Sequence, residues 1–333
     1  MTNLRVGIIG LGVGERHLAS YQHIPNCQVT ALCDIDNERL NDVGERFQIE
    51  TRFTDYNRIT EHPDIDVVSI CSYDDVHVEQ AISAFRNGKH VMVEKPVALF
   101  RRDAEKLLRV QQDSKKHISS NLILRASPRF AELKDQICNG DFGDISVIEG
   151  DYIHNILWKI TEGWRGRMAF YSVLYGGGIH LIDLMRWLIG QEVKEVCGMG
   201  GNILTRDTFY PWDDSIACLL RFESGAIGKT LSTYGPKRTK FHALNVYGSR
   251  KTFINDLPHG KLFDGTQQEN EHVITTPYPG MAKGDLLPDF IASIVEGREP
   301  VVTARDVFRV MDICFSAIES LEQRRTLSVS YLI

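Results

Sequence analysis

The sequence lacks the features of several specialised protein classes. No stretch approaches the roughly 18–20 consecutive apolar residues that a membrane-spanning helix needs. No two of the seven cysteines have Cys-x-x-Cys spacing, which argues against a zinc ribbon or a thioredoxin-type motif. The opening residues, MTNLRVGIIGLG, contain no long apolar segment followed by a small-residue cleavage site, so we expect no signal peptide.

Basic charge is not in excess either. The 38 Lys and Arg residues are outnumbered by 44 Asp and Glu residues, and the resulting charge of −6 argues against a dedicated nucleic-acid-binding protein. A hydrophobic fraction of 43 % excludes a wholly disordered chain. The widely spaced cysteines are expected to be buried, reduced thiols of a cytoplasmic protein. We expect no metal, no nucleic acid and no membrane as a partner.

The 333 residues predict about two domains. Up to residue 121, short apolar runs alternate with helical segments, which predicts a doubly wound parallel sheet whose strands are buried on both faces. From residue 122 onward, strand-like runs joined by tight turns predict a mostly antiparallel sheet. The predicted strands of the first part are 5–9, 29–33, 67–71, 91–93 and 118–124, and helices are expected in the second part at 128–138, 178–188, 287–296 and 304–323.

The first predicted strand ends in a glycine-rich turn, Gly10-Leu11-Gly12-Val13-Gly14, which leads into a helix. Gly10 allows a tight turn, and Gly12 lets backbone N–H groups approach a pyrophosphate at the helix N-terminus. The spacing Gly-x-Gly-x-Gly is one residue shorter than the full dinucleotide fingerprint. A purely structural turn is therefore the alternative.

Asp34 stands at the end of the second predicted strand. A carboxylate at this position accepts hydrogen bonds from both ribose hydroxyls of an adenosine and repels a 2′-phosphate, which favours NAD over NADP. The alternative is that Asp34 caps the next helix, although Asp36 lies nearer to the start of that helix.

A lysine follows the fourth predicted strand, in Glu94-Lys95-Pro96. Ligands of open α/β sheets bind at the carboxyl ends of strands, and Pro96 restricts the backbone of Lys95. The Lys95 ammonium can there hydrogen-bond a substrate hydroxyl and assist proton transfer. A solvated lysine in a turn is the alternative.

A second motif, GGGIH, starts at Gly176 and opens a helix. His180 and Asp183 are three residues apart and share one face of this helix. His180 titrates near neutrality and can take the proton of a reacting hydroxyl. His180 as a structural residue is the alternative, and Asp183 either orients the helix or contacts a ligand.

Together these motifs resemble those of the Gfo/Idh/MocA oxidoreductases. The resemblance covers nearly the whole chain and is carried by GIIGLG, ALCD, residues 67–77, GKHVMVEKP, GGGIHLIDLMRWLIG and LLPDFIASIVEGREPVVTARD. It implies a Rossmann domain at residues 1–121 and an α+β domain for substrate binding and oligomerisation, with a large open sheet, at residues 122–333. It also implies hydride transfer between a nicotinamide cofactor, for which Asp34 favours NAD, and a hydroxyl-bearing carbon of a sugar, cyclitol or sugar derivative. A mixed sheet with one exposed apolar face suggests a homodimer or homotetramer, and the cysteines suggest a cytoplasmic location.

The resemblance further implies roles for individual residues, with Lys95 and His180 as the catalytic pair. The family's Thr-Pro-Asn segment is here Ser72-Tyr73-Asp74. The expected cofactor-binding residues are Gly10, Leu11, Gly12, Val13, Gly14, Asp34, Ser72, His77, Glu94, Lys95, Trp164 and Arg165. The expected substrate residues are Lys95, Asn121, Arg125, Tyr152, His154, His180, Asp183 and Tyr234. A structural or solvated role is the alternative for Arg125 and for the aromatic residues.

Residue 176 departs from the family pattern. Many members have an Asp four residues before the helix histidine, where this chain has Gly176. His154 or a nearby tyrosine is a candidate to replace that carboxylate. Two other functions stay open: a nucleotide-sugar dehydrogenase of glycan biosynthesis that binds phosphate near Lys237, and a non-catalytic NAD-binding regulator.

Overall fold

The computed structural model describes residues 3–333, and the chain divides into two compact units. The first unit takes in the chain up to Asn121 together with Ala282–Met311 and Leu332–Ile333, and the second comprises Leu122–Met281 and Asp312–Tyr331. Residues 282–311 and 332–333 were predicted to belong to the second domain, whereas in the structure they lie in the first unit.

The first unit contains a parallel sheet of six strands in the order β3-β2-β1-β4-β5-β6. The order reverses between β1 and β4, and a ligand crevice forms at such a point because neighbouring crossovers leave in opposite directions. The strands are β1 Leu4–Ile9, β2 Cys27–Cys33, β3 Thr51–Phe53, β4 Val67–Ile70, β5 His90–Val93 and β6 Ile118–Ser120. The helices are α1 Leu11–Tyr21, α2 Asn37–Arg46, α3 Asn57–Thr60, α4 His77–Arg86 and α5 Arg101–Ser114.

The predicted doubly wound sheet is confirmed, and one of its strands is shorter than expected. The strand predicted for residues 118–124 ends at Ser120, and Ile123–Ala126 form a 3₁₀ turn. Leu122, just before this turn, and Leu124 within it are both buried. A short buried apolar run does not distinguish a strand from a helical turn, which explains the error. The three-residue strand β3 was missed because it is too short to show a pattern.

The second unit is built on a sheet of nine strands in the order β14-β13-β12-β11-β7-β10-β9-β8-β15, antiparallel except for the pair β7 and β10. The predicted mostly antiparallel sheet is thus confirmed. Its strands are β7 Ile145–Ile153, β8 Val193–Gly201, β9 Ser215–Phe222, β10 Ile227–Thr233, β11 Phe241–Gly248, β12 Thr252–Ile254, β13 Gly260–Phe263, β14 Glu271–Ile274 and β15 Leu327–Ser328. The helices are α6 Pro128–Cys138, α7 Trp158–Thr161 and α8 Ile179–Ile189, and the chain continues with α9 Leu287–Glu296 in the first unit and with α10 Ala304–Gln323.

Helix α8 packs its apolar sequence, IHLIDLMRWLI, against one face of this sheet. A π-helical turn, Leu174–Gly178, precedes the helix, so the helix expected at 178–188 begins one residue later than predicted. Gly150 of β7 lies against Leu181, where even a methyl group would be tight. Small residues on the sheet therefore let the start of α8, with His180, approach β7 closely.

Three further features concern membrane-spanning helices, metal-binding clusters and the cysteines. No helix among residues 3–333 is long and apolar enough to cross a membrane. Over the same residues, no group of three or more His, Cys, Asp or Glu side chains is arranged to hold a metal ion. The cysteines are all free thiols, but Cys138 is exposed and Cys27 and Cys197 are half-buried, so the expectation that they are buried fails for these three residues.

Candidate active site

The glycine turn of the first unit has the shape that a bound pyrophosphate requires. Gly10 has φ of 85°, and a side chain there would collide with the backbone of Cys71 and Ser72. In contrast, apart from its chain neighbours and the nearby backbone of α1, no described atom lies within 4 Å of where a Cβ of Gly12 would stand. Because the first N–H groups of a helix have no intrahelical acceptor, the start of α1 presents donors to this open space.

Gly14, the third glycine of the turn, allows α1 to pack closely against the strands of the sheet. A side chain on Gly14 would come within 2.9 Å of Ile8 on β1 and 3.4 Å of Cys71. This is the role of the last glycine in a dinucleotide-binding turn, namely close contact between the helix and the strands. The Gly-x-Gly-x-Gly spacing therefore retains the close helix–strand packing of the longer fingerprint.

Asp34, directly after β2, is buried and oriented by two backbone N–H groups. Its Oδ2 accepts from Leu11 N–H at 2.7 Å and its Oδ1 from Asp36 N–H at 2.9 Å. A carboxylate has about four acceptor positions, and Arg39 Nη1 also donates to Oδ2 at 3.5 Å, so one position stays open to a ribose hydroxyl. The capping role belongs to Asp36, whose side chain accepts from Glu38 and Arg39 N–H, as the sequence analysis favoured.

Arg39 is held by carboxylates of this segment. Its guanidinium lies 3.5 Å from Asp34 Oδ2 and 3.2 Å from Asp36 Oδ2. A cation neutralised in this way attracts a 2′-phosphate only weakly. The two carboxylates also repel the phosphate. The residues around β2 therefore fit NAD better than NADP.

Glu94 lies after β5 in a buried polar cluster of the first unit. Its Oε1 accepts from Asn121 Nδ2 at 2.8 Å and lies 3.4 Å from His17 Nε2 and 4.0 Å from Lys283 Nζ. Burial alone would raise the pKa of Glu94, but the charges of Lys283, His17 and Lys95 lower it well below its usual range. The cluster thus keeps a carboxylate next to Lys95, and it holds Asn121 in the same network.

His17 of α1 belongs to the same buried cluster. It is fully buried, and its Nδ1 lies 2.9 Å from Ser69 Oγ and 3.4 Å from Cys71 Sγ. Burial lowers the pKa of His17, whereas Cys71 and the Glu94 carboxylate raise it, with a resulting value of about 10. His17 is therefore a cation at neutral pH and compensates the buried charge of Glu94.

His77 and Ser72, both expected to line the cofactor, are engaged with the protein. His77 is fully buried, with Nδ1 2.8 Å from the Pro96 carbonyl oxygen and Nε2 3.3 Å from the Ser72 carbonyl oxygen. Ser72 Oγ donates to Gln80 Oε1 at 2.6 Å. His77 therefore connects the turn after β4 with the cis peptide bond between Lys95 and Pro96.

In the second unit, two of the expected substrate residues bind each other. Arg125 donates from Nε to Asp183 Oδ2 at 2.9 Å and from Nη2 to Asp183 Oδ1 at 2.6 Å, and both side chains are buried. Arg186 Nη1 lies 3.9 Å from the same carboxylate. This geometry favours the structural alternative for both residues: Asp183 orients α8, and Arg125 holds it.

Tyr152 and His154 lie on one side of β7, as their alternation predicts. Tyr152 Oη is 3.1 Å from His154 Nδ1, and the Tyr152 ring lies nearly parallel to the His180 ring, with 6.4 Å between centroids. Burial and the charges of Lys240 and Lys159 lower the pKa of His154 to about 4. His154 is consequently neutral at physiological pH, and Tyr152 links it to His180.

Trp164 and Arg165 lie in a short 3₁₀ helix, Trp164–Arg167, of the same unit. The Arg165 guanidinium carbon lies 4.2 Å from the centroid of the Trp164 ring and 5.7 Å from that of Tyr171. Tyr171 in turn shares a hydrogen bond of 2.9 Å with Tyr234. The structure thereby gathers Arg165 and Tyr234, which are far apart in sequence, around Tyr171.

The sequence motifs assigned no role to several residues of these clusters. His17 and Lys283 are positioned around Glu94, Arg186 around Asp183, and Tyr171 beside Tyr234. Only His17 has a sequence signal, because it faces the sheet from the helix that follows the glycine turn. The others come from distant segments and belong to no motif.

The comparisons with known proteins agree with this geometry. Residues 4–122 match the oxidoreductase family with an NAD-binding Rossmann fold, and residues 130–254 match the GFO/IDH/MocA C-terminal domain. Myo-inositol 2-dehydrogenase of Thermotoga maritima is 24 % identical over 99 % of this chain and 100 % of its own length. Levoglucosan dehydrogenase of Pseudarthrobacter phenanthrenivorans is 25 % identical over 93 % of this chain and 90 % of its own.

Solved structures show the same fold. A levoglucosan dehydrogenase in complex with NADH and L-sorbose superimposes with a TM-score of 0.90 at 23 % identity, covering 99 % of this chain and 100 % of the other. Myo-inositol 2-dehydrogenase from Lactobacillus plantarum gives a TM-score of 0.84 at 23 % identity over 99 % and 100 % of the two chains. With a glycine turn and an Asp34 that fit NAD, and with both of its parts matched, this chain belongs to the Gfo/Idh/MocA family of NAD-binding oxidoreductases.

Proposed function

We propose that this protein is an NAD(H)-dependent dehydrogenase that acts on a CH–OH group of a sugar, cyclitol or sugar derivative. Bound NAD supplies the hydride acceptor, or NADH the donor, for the carbon that carries the hydroxyl. The observation that carries the proposal is the position of Lys95 after β5, beside the ionised Glu94 and in the same unit as the glycine turn and Asp34.

Lys95 and His180 are the residues to which we assign proton chemistry. The Lys95 ammonium polarises the substrate oxygen, and Glu94 balances its charge. His180 Nε2 or Nδ1 accepts the hydroxyl proton on oxidation and returns it on reduction. The near-parallel Tyr152 ring beside His180 limits the orientation of the imidazole. Asn121, Arg125 and Asp183 act by holding these elements in place, since their side chains are engaged within the protein.

The test is turnover with NAD⁺ and a panel of sugars, cyclitols, sugar acids and nucleotide sugars, measured as NADH absorbance. Lys95→Ala should keep NADH binding and lower turnover by at least about 100-fold, the usual scale for a general acid–base group. Lys194→Ala, at an exposed lysine of β8, is the matched control and should keep full activity. Near-normal turnover of Lys95→Ala would remove Lys95 from the mechanism.

The same panel separates the alternatives. Turnover confined to nucleotide sugars would establish the glycan-biosynthesis function. Tight NADH binding without turnover of any panel member would instead favour a non-catalytic regulator.

We further propose that two or four copies associate through the outer face of the nine-stranded sheet. Neighbouring outward positions of β8 and β9 are apolar: Met199 and Leu219 are 77 % and 55 % exposed, and Cys197 pairs with Leu219. A contiguous apolar patch of this kind marks an interface between subunits. Leu219→Glu with Met199→Glu should lower the molar mass in light scattering to that of a single chain, whereas an unchanged mass would exclude this face.

The expected location is the cytoplasm. All seven cysteines are free thiols in the structure, which suits a reducing compartment. Fractionation of cells that express the tagged chain tests this location.

A further inference from the structure

A turn of the first unit, residues 282–285, carries Lys283 to the buried cluster that contains Asn121. Two backbone carbonyl groups hold this turn. The carbonyl oxygen of Lys283 accepts from Asn121 Nδ2 at 3.0 Å, and that of Gly284 accepts from Ser20 Oγ on α1 at 3.1 Å. These bonds use the backbone, so the Lys283 side chain is not needed to hold the turn in place.

The Lys283 ammonium acts on Glu94 through its charge. Lys283 Nζ lies 4.0 Å from Glu94 Oε1, which is longer than a hydrogen bond, and the lysine side chain is 36 % exposed. Glu94 Oε1 accepts its hydrogen bond from Asn121 instead. Burial would raise the pKa of Glu94, and among the neighbouring charges that of Lys283 does most to lower it. The N–H donors of the ammonium are therefore not used by this carboxylate.

This cluster lies at the end of the sheet where the nicotinamide half of a dinucleotide is expected. The glycine turn after β1 offers N–H groups to the pyrophosphate, and Asp34 after β2 fits the adenosine ribose. A dinucleotide lies across the point where the strand order reverses, between β1 and β4, so its other half extends towards β4 and β5. Glu94 and Asn121 follow β5 and β6 at the same carboxyl edge. Lys283 is thus a charged residue of the nicotinamide half.

The two oxidation states of the cofactor differ in charge at this half. The nicotinamide ring of NAD⁺ is a cation, and the hydride that it accepts, a proton with two electrons, leaves the ring of NADH neutral. Glu94 alone would attract the cationic ring. Lys283 and His17 are two cations beside this one carboxylate, and charges in a partly buried site are only weakly screened. The excess positive charge therefore opposes the binding of NAD⁺.

We propose that Lys283 determines which oxidation state of the cofactor the site prefers, and that it favours NADH over NAD⁺. The inference rests on the proposed function for the binding of NAD(H) and deepens it by naming the favoured direction. In that direction the substrate carbon gives a hydride to NAD⁺ and the substrate hydroxyl gives up its proton. Because a difference in affinity shifts the equilibrium of the bound states, tighter binding of NADH favours this oxidation on the protein.

The experiment measures Kd for NADH, NAD⁺ and ADP-ribose with the full chain and without a substrate. Fluorescence follows NADH binding, and competition with NADH gives the other two values. The natural protein should bind NADH more tightly than NAD⁺. Lys283→Met should lower the ratio of Kd for NAD⁺ to Kd for NADH by at least about fivefold, the effect of one weakly screened charge. The Kd for ADP-ribose, which has no nicotinamide ring, should stay unchanged.

Three further variants test the sign and the place of the charge. Lys283→Arg keeps the charge and should keep the ratio of the natural protein. Glu94→Gln removes the opposite charge and should raise the ratio. Lys261→Met removes a lysine of the second unit that pairs with Glu271, and this matched control should leave all three Kd values unchanged.

The outcomes separate this inference from the proposed function. An unchanged ratio in Lys283→Met overturns the inference, and so does an equal weakening of all three ligands, because Lys283 would then shape the pocket rather than select a charge. Absence of turnover with every substrate overturns the dehydrogenase function, while the Kd ratio still decides the role of Lys283. Absence of NADH binding to the natural protein overturns both.

Discussion

Arg125 and Asp183 form a two-pronged ion pair inside the second unit, with side chains 2 % and 1 % exposed. Arg125 lies in the 3₁₀ turn at the start of the unit, and Asp183 lies on α8, one turn after His180. A planar guanidinium that meets a carboxylate at two atoms restricts rotation as well as distance. The pair therefore sets the rotation of α8 and the direction in which His180 projects.

Asp183→Asn should lower the free energy of unfolding by about 3–5 kcal/mol, because it leaves the Arg125 charge buried without its partner. Urea unfolding measures the change. Arg125→Met with Asp183→Leu removes both charges and should recover most of the loss. The control is Arg221→Met, which breaks the exposed pair with Glu195 and should cost less than about 1 kcal/mol. Equal losses for the buried and exposed pairs would contradict this account.

Asp34→Ala should raise the Kd for NADH at least about tenfold, since each hydrogen bond to a charged group contributes about 1.5–3 kcal/mol. Affinity for NADPH should change less, because the variant also removes a repulsion from the 2′-phosphate. Fluorescence titration with both nucleotides measures the ratio. Asp42→Ala, which removes only an exposed ion pair with Arg46 on α2, is the control and should leave the ratio of the two Kd values unaltered. If Asp34→Ala has the same ratio of Kd values for NADH and NADPH as the natural protein, Asp34 does not select the cofactor.

His17→Gln should change the pH dependence of stability. The pKa of His17 in the folded protein is about 10, above its ordinary value of 6.5. The contribution of His17 to the free energy of unfolding is therefore complete below pH 6.5 and is lost as the pH rises towards 10. The difference in unfolding free energy between the natural protein and the variant should shrink over this range. His259→Gln, at an exposed histidine, serves as the control and should change the unfolding free energy by less than about 0.5 kcal/mol.

Glu94→Gln should change the pH dependence of stability in the opposite direction to His17→Gln. The pKa of Glu94 is lowered in the folded protein, so its contribution is complete above its unfolded value of about 4.5 and is lost as the pH falls further. Urea unfolding between pH 3 and 7 measures the change. A difference that does not vary with pH in either variant would mean that His17 and Glu94 do not form an ion pair.

Gly176→Ala should destabilise the protein by about 1–3 kcal/mol, because its methyl group overlaps the hydroxyls of Tyr171 and Tyr234. The same substitution in the Tyr171→Phe/Tyr234→Phe background should cost less, with a coupling of about 0.5–3 kcal/mol in a double-mutant cycle. Gly201→Ala is the control, since a Cβ there meets no described atom within 4 Å. Strictly additive effects would show that the phenols do not occupy the space beside residue 176.

Local patterns were sufficient for most of the fold. Continuous apolar runs with glycine and aspartate at their ends predict β1, β2, β4 and β5, because such strands are buried on both faces in a parallel sheet. Alternation likewise predicts β9 and β10, where one side of each strand is buried. The error after Ser120 arose where a buried helical turn has the same composition as a buried strand.

The sequence by itself determined the two sheets, the glycine turn, the acid after β2, the lysine after β5 and the family to which they belong, because each depends on neighbours along the chain. Only the tertiary structure decided the partners of the polar side chains. It joined Arg125 to Asp183, His17 to Glu94, and Tyr171 to Tyr234, across 58, 77 and 63 positions of sequence in turn. It also showed that the space beside Gly176 is filled. Contacts over such separations depend on how helices and strands pack, and no local pattern of residues encodes them.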